Sequence, residues 1–188
     1  MENTANTACV RPKMPSPQKP QVPAGQLEMS ILLVEDTDTD AFVVTRILEQ
    51  FLSQGCHITR VGTLEEAERT LATHGSSYDV ILLDLGLPDS SSPEDTYHRV
   101  KHYMAKMPVI VLTCLDDHNL AVDSLGLGAQ DYLCKNDIVL QPSKFCNAIE
   151  FSVLRHRDHA KSMASLEKEI EEKSELLYLM AGGYSAGH

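Results

Sequence analysis

The sequence predicts an α/β protein with a doubly wound, five-stranded parallel sheet and an extended C-terminal helix. Short apolar runs alternate with amphipathic helical patterns from Ser30 to about Ile138, and strict strand–helix alternation favours a doubly wound sheet. Long apolar runs in the first, third and fourth of these segments are typical of strands buried on both faces of a parallel sheet. A helical pattern then continues almost unbroken from about Ser143 to Met180.

Five segments have the composition of strands: ILLV (31–34), HITRV (57–61), DVILL (79–83), VIVLT (109–113) and DYLC (131–134). Helical patterns fall between them at 39–53, 63–74, 94–105 and 117–126. The second helix starts with a capping box, formed by Thr63 and Glu66, and ends at Gly75. We expect residues 38–40 to cap the first helix, because negative charge is favoured at a helix N-terminus.

Composition divides the chain into four parts. Residues 1–28 hold five of the nine prolines and few large apolar residues. We expect a disordered arm there, because such a segment buries too little surface to offset its ordering entropy. Residues 29–142 form the predicted domain, and residues 143–181 form a long helix that completes the domain and continues as a short coiled coil. Residues 182–188 are a predicted flexible tail.

An apolar seam with heptad spacing runs along the second half of the long helix. It is interrupted by Lys173, and its members are Met163, Leu166, Ile170, Leu177 and Met180. Such a seam favours pairing with a second helix. We therefore expect a homodimer through the C-terminal helix, and the alternative is an unpaired helix with a frayed end.

Charge and composition exclude several classes of function. The formal net charge of −11 disfavours binding to nucleic acid, because the phosphates repel it. No apolar run approaches the roughly 18 residues of a membrane span, so we expect no membrane insertion. The five cysteines are scattered without a Cys-x-x-Cys pair, which favours reduced thiols and a cytoplasmic location.

Chemically active residues follow the predicted strands at the points where the strands end. Glu35 and Asp36 follow the first strand, and Asp84 follows the third. Thr113 ends the fourth strand, and Lys135 comes directly after the fifth. Because the carboxyl ends of parallel strands meet at one edge of the sheet, where open α/β sheets bind ligands, we expect these side chains to lie together.

This set of side chains predicts phosphoryl-transfer chemistry that depends on magnesium. Three carboxylates held close together repel one another, and a hard divalent cation such as Mg²⁺ relieves that repulsion. A carboxylate can act as a nucleophile towards phosphorus and form an acyl phosphate. The transferred group carries spread negative charge, which the cation, the Lys135 ammonium and the Thr113 hydroxyl would neutralise.

At these positions the sequence resembles the receiver domains of response regulators in two-component signalling, including the chemotaxis regulators. The resemblance covers roughly residues 30–155. The motifs that carry it are LLVEDTDTD, DVILLDLGLPD, PVIVLT and GAQDYLCK. By this resemblance, residues 29–142 are a receiver domain with the flavodoxin-like strand order 2-1-3-4-5. Such a domain takes a phosphoryl group onto itself from a histidine kinase or a histidine phosphotransfer protein and is not a separate enzyme.

The resemblance also implies a role for each site residue. Asp84 would be the phosphoacceptor, and it would release the group by autodephosphorylation. Asp84 would also be a Mg²⁺ ligand, together with Asp36, which would bind directly, Glu35, which would bind through a water molecule, and the backbone carbonyl of Gly86. Lys135 would contact the phosphoryl group, and the switch residues Thr113 and Tyr132 would move inward on phosphorylation.

The sequence departs from the family pattern at two places. SSSPE (90–94) stands where the family usually has a glycine, which affects the start of the third helix, and Asn136 follows the lysine where many members have proline. An alternative hypothesis also starts from the first strand. Asp36 and Asp38 resemble the nucleophile and the acid/base of haloacid-dehalogenase-like phosphatases, in which Asp84 would have no role.

Overall fold

The computed structural model describes residues 28–113, 126 and 129–182, and these residues form one sheet with helices on both of its faces. The elements, in chain order, are β1 (Met29–Val34), α1 (Asp38–Phe51), β2 (Cys56–Val61), α2 (Leu64–His74), β3 (Val80–Asp84), α3 (Pro93–Val100), β4 (Val109–Thr113), β5 (Asp131–Cys134), α4 (Lys135–Leu140) and α5 (Pro142–Gly182). Short 3₁₀ turns follow α2 and α3. Residues 1–27 of the predicted arm, most of the predicted helix at 117–126 and residues 183–188 of the predicted tail lie outside the described residues.

The sheet has the predicted strand order. Five parallel strands lie in the order β2-β1-β3-β4-β5, which confirms both the fold class and the order 2-1-3-4-5. The three apolar runs of the sequence are the three inner strands, and β3 and β4 are buried at every residue. The two outer strands, β2 and β5, are only partly buried.

Alternate residues of the inner strands supply two separate cores. One face of the sheet packs Ile31, Leu33 and Leu82 against apolar residues of α1 and α5. The opposite face packs Leu32 and Leu83 against residues of α2 and α3. Since side chains alternate between the two faces of a strand, this double burial explains why the inner strands are mostly apolar.

The C-terminal helix α5 begins inside the domain and then leaves it. Its first turns contribute Phe145, Ile149 and Val153 to the core. Asp79 accepts from Arg157 at 2.6 Å at the last contact with the domain, and the residues from 157 to 180 are exposed. The helix has 41 residues, which corresponds to about 60 Å at the usual rise. The predicted long helix is therefore present. None of the described helices is long and apolar enough to cross a membrane.

Several local predictions need correction. The predicted helix 94–105 ends at Val100 and continues as a 3₁₀ turn. Gly75 does end α2 as predicted, with a right-handed φ of −57° because a 3₁₀ turn follows the helix directly. The N-cap of α1 is Thr37, without a side-chain cap. The cap predicted at residues 38–40 is therefore wrong, but Asp38 and Asp40 do lie in the first turn of the helix, where negative charge is favoured. Both also pair with cations from other elements.

The loop between β3 and α3 is fastened to the start of α2 by Asp89. Its carboxylate accepts hydrogen bonds from the backbone N–H groups of Leu64 and Glu65, both at 2.9 Å. Arg99 donates to the Asp89 carbonyl at 3.1 Å. Burial alone would raise the pKa of Asp89, but the two backbone donors outweigh it and lower the pKa below its ordinary value. This loop begins directly after Asp84, so its anchorage also supports the site.

We expect Asp89→Ala to destabilise the protein by about 1 kcal/mol at neutral pH, as for the loss of a helix cap. A lowered folded-state pKa means that the stabilisation is present above the unfolded pKa and is lost as the pH falls through the folded one. Urea unfolding between pH 7 and pH 3 should therefore show the difference from wild type shrinking in acid. The control is Asp158→Ala, whose carboxylate is exposed, and an effect of Asp89→Ala no larger than this control at neutral pH would contradict the account.

Candidate functional site

The strand register brings the predicted site residues to one edge of the sheet. Val34 lies beside Leu83, so the next residues, Glu35 and Asp84, are neighbours. Asp84 lies beside Leu112, which places it next to the strand end at Thr113. Thr113 in turn lies beside Cys134, the residue before Lys135. The ends of neighbouring strands therefore place their functional side chains next to one another.

Three of these residues form an acidic cluster. One carboxylate oxygen from each of Glu35, Asp36 and Asp84 lies within 4.8 Å of the other two. Glu35 and Asp84 are buried, whereas Asp36 is exposed at the mouth of the site. Three carboxylates at this separation repel one another, and water screens the two buried ones only weakly. The cluster therefore favours a cation.

Lys135 supplies one positive charge from the opposite side of the cluster. Its Nζ lies 2.6 Å from Glu35 Oε2, 3.0 Å from Asp40 Oδ2 and 3.3 Å from Asp84 Oδ2. Burial alone would lower the pKa of Lys135, but the three carboxylates raise it above its ordinary value. The ammonium is therefore charged at any physiological pH, and this single side chain at the start of α4 contacts α1, β3 and the residue that follows β1.

Glu35 is the most deeply buried of the carboxylates. Its Oε1 accepts from the backbone N–H of Thr37 at 3.2 Å. Its Oε2 lies at ion-pair distance from Lys135 but accepts no hydrogen bond of good geometry from the described residues. Burial and the Asp84 charge raise the pKa of Glu35, against the lowering effect of Lys135. An incompletely satisfied buried oxygen beside two more carboxylates fits a hydrated divalent cation.

Thr113, Tyr132 and Gly86 lie next to this cluster or on the adjoining strands. Thr113 is buried at the end of β4. Tyr132 pairs in register with Val111, on the same strand as Thr113, and packs against the core that contains Val111. Gly86 lies so close to Asp84 that a Cβ there would be 3.4 Å from Asp84 Oδ2.

Sequence analysis missed two residues that contact the site. Asp40 pairs with Lys135 from the first turn of α1. Arg60, near the end of β2, donates to the carbonyls of Glu35 and Asp36. The strand order that the resemblance implies places Arg60 beside the end of β1. This residue could therefore have been found from the sequence. No comparable pattern marks Asp40, which looks like an ordinary residue of a helix start.

Comparison with known proteins gives consistent matches. The Escherichia coli (strain K12) transcriptional regulatory protein BasR is 34% identical over 110 residues, which are 57% of this chain and 46% of BasR. The receiver domain of the putative Luxo repressor protein from Vibrio parahaemolyticus superposes with a TM-score of 0.60 at 25% identity, covering 72% of this chain and 98% of that one. The Mn(2+)-bound response regulator Rcp1 superposes with a TM-score of 0.53 at 25% identity, covering 65% and 91%.

These comparisons do not support the haloacid-dehalogenase alternative. Its proposed acid/base, Asp38, is almost fully exposed and is paired with Arg60 at 2.6 Å. Asp84, which that hypothesis leaves without a role, lies inside the acidic cluster. The chain spans about half the length of the curated relatives that it matches.

The model of one protein family also matches this chain. The response regulator receiver domain model covers residues 31–149 and so extends into the first turns of α5. It includes all four strand ends that meet at the acidic cluster. The chain therefore belongs to the response regulator receiver domain family of two-component signalling.

Proposed function

We propose that this protein is a phosphorelay receiver in which Asp84 accepts a phosphoryl group. The single observation that carries the proposal is the position of its carboxylate, which belongs to the acidic cluster and lies 3.3 Å from the Lys135 ammonium. The Asp84 side chain keeps 12% of its surface exposed, so a donor can reach it. In the transfer, a carboxylate oxygen of Asp84 forms a bond to phosphorus while the bond between phosphorus and the donor histidine nitrogen breaks, and its electron pair stays on that nitrogen.

Mg²⁺ is the proposed cofactor. Asp36 and Asp84 would bind it directly with the backbone carbonyl of Gly86, and Glu35 would bind through a water molecule. The incompletely satisfied Glu35 Oε2 supports this assignment, and so does the related response regulator Rcp1, which is described with bound Mn²⁺. When bound, the cation would neutralise charge on the phosphoryl oxygens.

The remaining site residues act on the phosphoryl group through charge and hydrogen bonding. Lys135 is already held against Asp84 and would pair with a phosphoryl oxygen. The Thr113 hydroxyl would donate to another oxygen, and Tyr132 would follow it inward on the same face of the sheet. The added negative charge would thus shift the equilibrium between two conformations of the structure next to β5. Water would later hydrolyse the acyl phosphate and return Asp84 to its free form, which is autodephosphorylation.

The proposed donor is a histidine kinase or a histidine phosphotransfer protein in the cytoplasm. Family membership and the chemistry of an acyl phosphate support this choice of donor. Binding to nucleic acid is not part of the proposal, because the net charge of −11 opposes it. BasR is described as a transcriptional regulatory protein, so the absence of such binding stays a prediction for this chain.

We expect the protein to gain the mass of one phosphoryl group when it is incubated with Mg²⁺ and acetyl phosphate. The adduct should be absent from Asp84→Asn, because an amide cannot form the acyl phosphate, and it should be present in Asp137→Asn, whose carboxylate is exposed on α4. Intact-protein mass spectrometry measures it. An adduct that persists in Asp84→Asn, or that forms equally well without a divalent cation, would contradict the proposal.

The second half of α5 is proposed to pair with the same helix of another copy. All five seam residues are exposed, as are their non-seam neighbours. The seam residues are Met163, Leu166, Ile170, Leu177 and Met180. Exposed apolar side chains at heptad spacing are stabilised by burial against a second helix. In this arrangement the change at Asp84 would reach the dimer through the part of α5 that belongs to the core.

We expect wild-type protein to sediment at about twice the mass of the 20.8 kDa chain. The double change Ile170→Glu and Leu177→Glu should shift it to the monomer, because four glutamates would face one another in the dimer seam. Leu179→Glu is the matched control, since Leu179 is exposed and lies outside the seam. A monomeric wild type, or equal dissociation by the control, would be incompatible with pairing through this seam.

A further inference from the structure

Arg60 joins the end of β2 to the loop that carries two residues of the acidic cluster. Its Nε donates to the backbone carbonyl of Glu35 at 3.0 Å, and its Nη2 donates to the backbone carbonyl of Asp36 at 2.9 Å. Its Nη1 pairs with the Asp38 carboxylate at 2.6 Å. One guanidinium therefore contacts three nearby positions along the segment that leads from β1 into α1.

The contact between the two strand ends is reciprocal. The backbone N–H of Glu35 donates to the carbonyl of Val61 at 2.9 Å, while Arg60 donates in the opposite direction to the carbonyl of Glu35. The guanidinium of arginine is a planar fork whose donors have fixed directions. Lysine has the same charge but lacks this fork, so it cannot hold two successive carbonyls in the same way.

The side chain of Asp36 has little support of its own. It is exposed, and among the described residues its carboxylate accepts only from the neighbouring Thr37 hydroxyl, at 3.3 Å. The direction of this carboxylate therefore depends on the backbone that carries it. Arg60 holds that backbone at the Asp36 carbonyl itself.

We infer that Arg60 is a positioning residue, which holds Glu35 and Asp36 in the arrangement that binds the divalent cation. The inference rests on the proposed function, because it gives the cluster a cation to bind. The charge of Arg60 acts in the opposite direction, since a fixed cation beside a metal site weakens metal binding. When Arg60 is replaced, the loss of positioning would weaken Mg²⁺ binding, whereas the loss of its charge would strengthen it.

The experiment is a calorimetric titration of the full chain with Mg²⁺ alone, at constant ionic strength. The variants are Arg60→Gln, which removes both charge and fork, and Arg60→Lys, which keeps the charge and removes the fork. We expect the dissociation constant to rise about 10-fold or more for Arg60→Gln, as for the loss of groups that orient metal ligands, and to rise clearly for Arg60→Lys as well. Arg69→Gln, whose guanidinium pairs with Glu65 on the surface of α2, should bind Mg²⁺ like the wild type.

A second measurement separates positioning from a general loss of structure. Urea unfolding in EDTA reports whether each variant folds, and the Mg²⁺ concentration that gives half-maximal phosphorylation by acetyl phosphate reports on the metal site. We expect that concentration to rise in Arg60→Gln while the rate at saturating Mg²⁺ stays close to that of the wild type. If Arg60→Gln does not fold, Arg60→Lys decides the question.

The outcomes distinguish this inference from the proposed function. Unchanged or tighter Mg²⁺ binding by Arg60→Gln would show that Arg60 acts through charge alone and would overturn the inference. Wild-type affinity in Arg60→Lys would overturn it in the same way. If wild type and Asp36→Asn bind Mg²⁺ equally, the proposed function fails, and the inference fails with it.

Discussion

The contact on which the rest of the site depends is that of the Lys135 ammonium with three carboxylates. Glu35 follows β1, Asp40 lies on α1 and Asp84 ends β3, while Lys135 is the first residue of α4. The two buried carboxylates alone carry more negative charge than one ammonium neutralises. One ammonium therefore leaves net negative charge in the cluster, which favours the binding of a further cation.

The sheet explains why such a costly arrangement forms at all. Burial of the inner strands on both faces fixes the register, because a shift by one residue would turn each apolar set towards the wrong core. The packing of the inner strands therefore holds the carboxylates of Glu35 and Asp84 close together despite their repulsion. The repulsion between carboxylates at the strand ends is offset by the free energy of apolar burial along the strands.

The sequence predicted the sheet and the central site residues, because both depend on periodic patterns. Apolar runs located the strands, and the residue after each run located Asp84 and Lys135. The helix α4 was missed, since six residues that start directly at a strand end show no helical period of their own. Asp40 and Arg60 were missed because their roles depend on the direction of long side chains across neighbouring elements. Such directions follow from the fold and not from spacing along the chain.

The most direct test of the central claim is urea unfolding of wild type and Asp84→Asn, each in EDTA and in saturating Mg²⁺. If the cluster carries excess negative charge, Asp84→Asn should be more stable than wild type in EDTA by on the order of 1 kcal/mol. In Mg²⁺ the order should reverse, because ligand binding stabilises the native wild type. Asp84→Asn that is no more stable than wild type in EDTA, with a difference that Mg²⁺ leaves unchanged, would contradict the account.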